Sequence, residues 1–96
     1  MALGMVLHEL STNSVKYGAL SVPAGQVVVQ WQPSADQVLE IRWQERNGPA
    51  VSLPLKRGFG SRLIETLVVG ELGGVLDLRF EPEGIMCQFT TGRLIT

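Results

Sequence analysis

Ninety-six residues with 45% hydrophobic content, 18% charged residues and a formal net charge of −1 describe one small globular domain, residues 1–96, with apolar material for a single core. That balance excludes a general nucleic-acid or anionic-membrane surface, which needs a basic excess, so any anion site is local. Apolar segments interrupted by Glu, Arg and Gly exclude a membrane span, and the single Cys87 excludes an internal disulfide and fits a reducing, cytoplasmic compartment with no leader to remove. The chain begins inside its first helix without a cap, so it reads as the core of a larger domain, truncated at its N-terminal side.

From Ala2 to about Leu20 the spacing predicts a helix, with Gly18 where it begins to end. At about 100° per residue, Leu3, Leu7, Leu10 and Ser14 gather on one flank for packing against a sheet. Glu9, Asn13 and Lys16 fall together on another, with Tyr17 at its edge. A carboxylate, an amide, an ammonium and an aromatic ring so placed suit a metal, a phosphate and a heterocycle. Glu and Lys on a helix are commonly a solvated face. The run Ser11-Thr12-Asn13-Ser14 is the more informative feature, because these are poor helix formers where a surface helix has better choices.

Ser21 to Gly25 is a turn. Gln26–Trp31 and Val38–Trp43 alternate as strands, joined through Pro33-Ser34-Ala35-Asp36 as a hairpin. Trp43-Gln44-Glu45 ends the second strand, where Glu45 faces either water or the exocyclic amine of a ligand at a pocket floor, while Trp43 reads as core. Asn47-Gly48-Pro49 turns sharply, and the stretch from Arg46 to Gly58 is a loop long enough to act as a lid. Gly58-Phe59-Gly60-Ser61 enters the second helix, and glycines before a helix start let phosphate oxygens approach its N–H groups, although such a turn is commonly only a joint. That helix runs from Phe59 to Leu72 and is stopped by Gly73-Gly74. Val75–Phe80 and Ile85–Thr90 form a second hairpin around Glu81-Pro82-Glu83-Gly84. The order helix, hairpin, loop, helix, hairpin predicts an α+β two-layer α/β sandwich with helices on one face.

Taken in order, the helix block and two glycine turns resemble the ATP-binding catalytic domain of sensor histidine kinases, within the GHKL ATPase superfamily and its Bergerat fold. The resemblance is to the HWE subfamily, through His8 with Asn13, through Trp43-Gln44-Glu45, and through Gly58-Phe59-Gly60-Ser61. It runs from Leu3 to Thr90, and it implies a mostly antiparallel mixed sheet. It further implies that Asn13 coordinates a Mg²⁺ bridging the phosphates of ATP, that Lys16 touches a phosphate oxygen and that Tyr17 lines the adenine pocket. Glu45 takes the place of the adenine-reading acid and Gly48 the loop beside the ring. Gly58, Gly60 and Ser61 form the triphosphate cradle under the lid, and Glu9 is the base or polarising carboxylate. His8 is left a structural role.

The activity so implied is transfer of the γ-phosphoryl group of ATP to a histidine on a separate dimerisation segment of the same protein, a homodimer. A response regulator then receives the phosphate; no nucleic acid and no direct membrane contact are involved. Two alternatives are a degenerate fold that docks partners without nucleotide, and a GHKL hydrolase or protein-serine kinase using the same pocket.

Overall fold

The computed structural model describes residues 2–34, 38–49 and 61–93. Helix α1 (Ala2–Tyr17) is followed by a 3₁₀ turn (Ala19–Ser21) and a hairpin of β1 (Gln26–Pro33) and β2 (Val38–Arg46). Helix α2 (Ser61–Glu65) widens into a π-helical stretch (Thr66–Glu71) and leads to a second hairpin of β3 (Leu76–Glu81) and β4 (Gly84–Arg93). The strands lie side by side in the order β1-β2-β4-β3. Every pairing in that sheet is antiparallel, so the mixed character implied by the resemblance has no parallel pair among the described residues. The α+β architecture is as expected.

Two-residue alternation divides the sheet into a dry and a wet face. Ile41 and Trp43 of β2 lie beside Phe89 and Cys87 of β4, and these join Val6 and Leu10 of α1 with Ile64, Leu67 and Val68 of the second helix in one buried cluster. The opposite face carries Gln30 across from Arg42, and Arg42 across from Gln88. Arg42 is exposed there and Gln88 half-buried. Both helices therefore cover a single face.

The buried flank of α1 differs from the expected one. Val6, Leu10, Asn13 and Ser14 are buried, whereas Leu3 and Leu7 are only half-buried against the cluster. Rotating the helix toward Val6 sets Leu3 and Leu7 at the margin and carries Asn13, a polar residue, to the edge of the core.

The second helix is described from Ser61 onward, and its expected start at Phe59 lies outside the described residues. The Leu72 N–H donates to the Leu67 carbonyl at 2.8 Å and the Gly74 N–H to that of Val68 at 2.8 Å, the widened closure that leaves Gly73 at φ +67. The lid expected between Arg46 and Gly58 lies outside the described residues beyond Pro49.

Cys87 is fully buried at 0% exposure, and burial, aided by the negative charge of Asp77, pushes its thiol up to about 12 from 9.0. The unfolded thiol ionises first, so its contribution to stability is complete below pH 9.0 and is lost as pH rises toward about 12. Urea titrations across that window should show wild type losing up to about 1.4 kcal/mol per pH unit more than Cys87→Ala. Parallel curves would contradict the burial. A thiol reagent should label Cys87 only after denaturation.

Candidate functional site

The site is built where α1 ends above the sheet. At that end the Gly18 N–H still donates to the Ser14 carbonyl at 3.0 Å. The chain then tightens into the 3₁₀ turn, whose Leu20 N–H donates to Ser14 Oγ at 3.2 Å. The Ala19 N–H is instead satisfied from the sheet, donating to Glu45 Oε1 at 2.8 Å. Glu45 Oε2 accepts the indole N–H of Trp43 at 3.1 Å. Trp43 and Glu45 share the inward face of β2 because they stand two residues apart on one strand, and Glu45 is only 3% exposed.

Glycine makes room for this carboxylate. A Cβ on Gly18 would lie 2.3 Å from Glu45 Oε1, and one on Gly84, itself at φ +131, would lie 2.7 Å from Glu45 Cβ. Gly48 is in the same assembly, since a Cβ there would stand 2.7 Å from the Cα of Ala19. Its need for no side chain is thus already set by protein neighbours. Asn47 holds φ +59, a left-handed conformation that asparagine tolerates better than most residues. The turn is tied to the β3–β4 hairpin, with the Asn47 N–H donating to Glu83 Oε1 at 3.1 Å and the Gly48 N–H to the Glu83 carbonyl at 2.9 Å.

One turn back along α1, Asn13 is 5% exposed and its Nδ2 donates to Glu9 Oε1 across a long 3.4 Å. Glu9 is half-buried, while Lys16 and Tyr17 are exposed in the last turn, where a cation also complements the helix dipole. His8 is exposed. Of the expected residues, the structure therefore joins Glu9 to Asn13, sets Lys16 and Tyr17 on the same helix end, and draws Glu45 and Gly48 against Ala19, two residues after it. Gly58 and Gly60 lie outside the described residues, and Ser61 begins α2 with its side chain outside the description.

No cluster of three His, Cys, Asp or Glu side chains among the described residues has metal-binding spacing. Mg²⁺ does not need one, because it takes a few hard oxygen ligands and keeps waters and phosphate oxygens for the rest. An asparagine amide oriented through its Nδ2 group fits that donor set. A depression of about 530 Å³ lies elsewhere, on the open face among Gln30, Gln32, Glu40, Arg42 and Gln88. It shares no lining residue with the helix-end site.

Sequence reasoning missed Ser14 as a ligand of the 3₁₀ turn, Gly84 as a spacer for Glu45, and the bond from Trp43 to Glu45. The last had a legible signal, an i, i+2 pair on one strand face.

No family model matches the chain. The blue-light-activated histidine kinase of Brucella anthropi is 42% identical over 89 residues, which is 90% of this chain but 18% of that protein. The chain thus spans under a fifth of the length of the curated relatives it matches. In three dimensions it superposes on the histidine kinase domain of the Erythrobacter litoralis blue-light-activated kinase EL346 with a TM-score of 0.74 at 20% identity, over 94% of this chain and 45% of that one. The catalytic domain of the histidine kinase ThkA matches with a TM-score of 0.71 at 15% identity, over 96% and 65% of the two chains. The fold is accordingly that of histidine kinase catalytic domains, and along 90% of its length the sequence is similar to part of a histidine kinase.

Two glycines give opposite expectations for one substitution. Gly18→Ala should cost about 1–3 kcal/mol, because the new methyl group displaces the Glu45 carboxylate. Gly4→Ala, with nothing within 4 Å of the new Cβ on α1, should stabilise by about 1 kcal/mol. Urea unfolding of both variants measures the difference, and equal effects would contradict the packing at Gly18.

Proposed function

We propose that the chain binds Mg-ATP at the end of α1 and delivers the γ-phosphoryl group to a histidine on a dimerisation segment of the same protein. The observation that carries this reading is the Asn13–Glu9 pair at the border of the core, held in a fold shared with histidine kinase catalytic domains.

In this reading Asn13 would hold Mg²⁺ through its amide oxygen, while Glu9 accepts from its Nδ2. Bound Mg²⁺ neutralises phosphate charge and fixes the phosphates for in-line transfer. Lys16 supplies a positive charge to a phosphate oxygen, and Tyr17 an aromatic edge to adenine. Glu45 lies at the floor, where each oxygen has a lone pair left after the Ala19 and Trp43 N–H groups are served, which is what the exocyclic amine of adenine requires. Gly48 lines the ring, and Gly58, Gly60 and Ser61 cradle the triphosphate. Glu9 acts as the base or polarising carboxylate toward the incoming histidine. Its reacting nitrogen forms the new bond to phosphorus as the bond to the ADP oxygen breaks, and ADP leaves.

The whole protein is then a cytoplasmic, homodimeric kinase of the HWE subfamily in a two-component pathway, phosphorylated on its own histidine and serving a response regulator. Support comes from His8, Asn13 and the Trp43-Gln44-Glu45 triplet together. No described helix is long and apolar enough to cross a membrane.

Titration calorimetry with a non-hydrolysable ATP analogue tests the binding. Affinity should rise with Mg²⁺ in wild type and lose that rise in Asn13→Ala, with a deficit of about tenfold for one lost oxygen ligand. A Mg²⁺ effect that survives Asn13→Ala would overturn the metal assignment. A folded chain that binds no nucleotide would favour the docking scaffold. Incubation with ATP and the dimerisation segment should yield acid-labile phosphohistidine, whereas acid-stable phosphoserine or free phosphate alone would favour the other GHKL activities.

A further inference from the structure

The Trp43–Glu45 bond has no place in the roles assigned so far. Trp43 is 5% exposed and belongs to the buried cluster, so apolar packing alone accounts for its ring. Packing does not account for its indole nitrogen, which a buried tryptophan must satisfy, nor for the partner chosen. That partner is a carboxylate 3% exposed, whose other oxygen fixes the backbone two residues beyond α1. A buried carboxylate with two N–H donors at 2.8 and 3.1 Å is held in one orientation, because rotating it about its last torsion breaks both bonds together. Gly18 and Gly84 leave the room in which it sits.

We propose that Trp43 is a positioning residue that sets nucleobase selectivity through Glu45. The inference rests on Glu45 lying at the base-binding floor, as proposed above. By accepting from Trp43 and Ala19, the carboxylate keeps its remaining lone pairs in a fixed direction. A 6-amino purine donates to such a group; a 6-oxo purine faces it with another acceptor and is rejected. Without the indole N–H, Oε2 loses its anchor and the carboxylate turns, so the distinction between the two bases weakens even with the ring packing retained.

Trp43→Phe removes the N–H and keeps an aromatic ring in the core. Affinities for ATP and inosine triphosphate, which differ by this donor-for-acceptor exchange at the purine 6-position and by the hydrogen that inosine adds at N1, should be measured for wild type, Trp43→Phe and Glu45→Gln. Wild type should prefer ATP, and Trp43→Phe should reduce that preference about fivefold to tenfold, the net worth of one ordinary hydrogen bond. A merely structural role for Trp43 would lower both affinities and leave their ratio alone, which would overturn the proposal. A preference lost in Glu45→Gln but kept in Trp43→Phe would overturn it too, while leaving Glu45 as the base reader. A wild type without preference would instead sink the base-binding reading itself. Should Trp43→Phe fail to fold, the wild-type indole resonances decide. Trp43 Nε1–H should shift on adding adenosine, with Trp31, 69% exposed, as the internal control; an unmoved Trp43 signal overturns the proposal.

Discussion

The organisation of the helix-end site depends on one buried carboxylate. Glu45 reaches from β2 to the Ala19 N–H at 2.8 Å, and the same group takes the Trp43 indole. Burying a carboxylate without partners is costly, so its two donors are conditions of the fold as much as consequences of it. The link is between sheet and helix. It places the last turn of α1, with Lys16 and Tyr17, at a fixed height above β2, and it requires glycine at 18 and 84 to leave the space. The turn at Asn47 and Gly48 packs on the same spot through Ala19 and Glu83. Three chain segments thus meet there: the end of α1 with its 3₁₀ turn, β2 with the turn that follows it, and the β3–β4 turn.

Most of the architecture was legible because alternation and helical spacing are strong in this chain. Both hairpins formed where β-branched runs flank turn residues, with Gly84 taking the φ +131 that its turn demands. β1 and β2 extend past their expected ends, to Pro33 and Arg46, because cross-strand partners continue the ladder where side-chain pattern alone runs out. The flank of α1 was read one notch off. A helical wheel built on leucines favours Leu3 and Leu7, whereas the sheet selects Val6 and accepts Asn13 beside it.

The site was legible in its parts rather than in its connections. Spacing sets Glu9, Asn13, Lys16 and Tyr17 on one helix, and of these the structure joins Glu9 to Asn13. Long-range hydrogen bonds leave no such periodic trace, so the bond from Ala19 to Glu45, 26 residues apart, had no local signal. Gly48 shows the same gap. Its lack of a side chain suggests closeness to something, and the fold supplies Ala19 as that neighbour. The identity of the fold class came from motifs in series, since each glycine turn by itself is compatible with a plain joint. The comparison with histidine kinase catalytic domains agrees with that fold over nearly the full chain.

Two surfaces compete as ligand sites, the helix end around Asn13 and Glu45 and the depression on the open sheet face around Arg42 and Gln88. Amide chemical-shift mapping with Mg²⁺ and a non-hydrolysable ATP analogue separates them in one experiment. The account places the largest shifts at Asn13, Lys16, Tyr17, Ala19, Glu45 and Gly48, with the open face unmoved. Shifts confined to Gln30, Arg42 and Gln88 would contradict it.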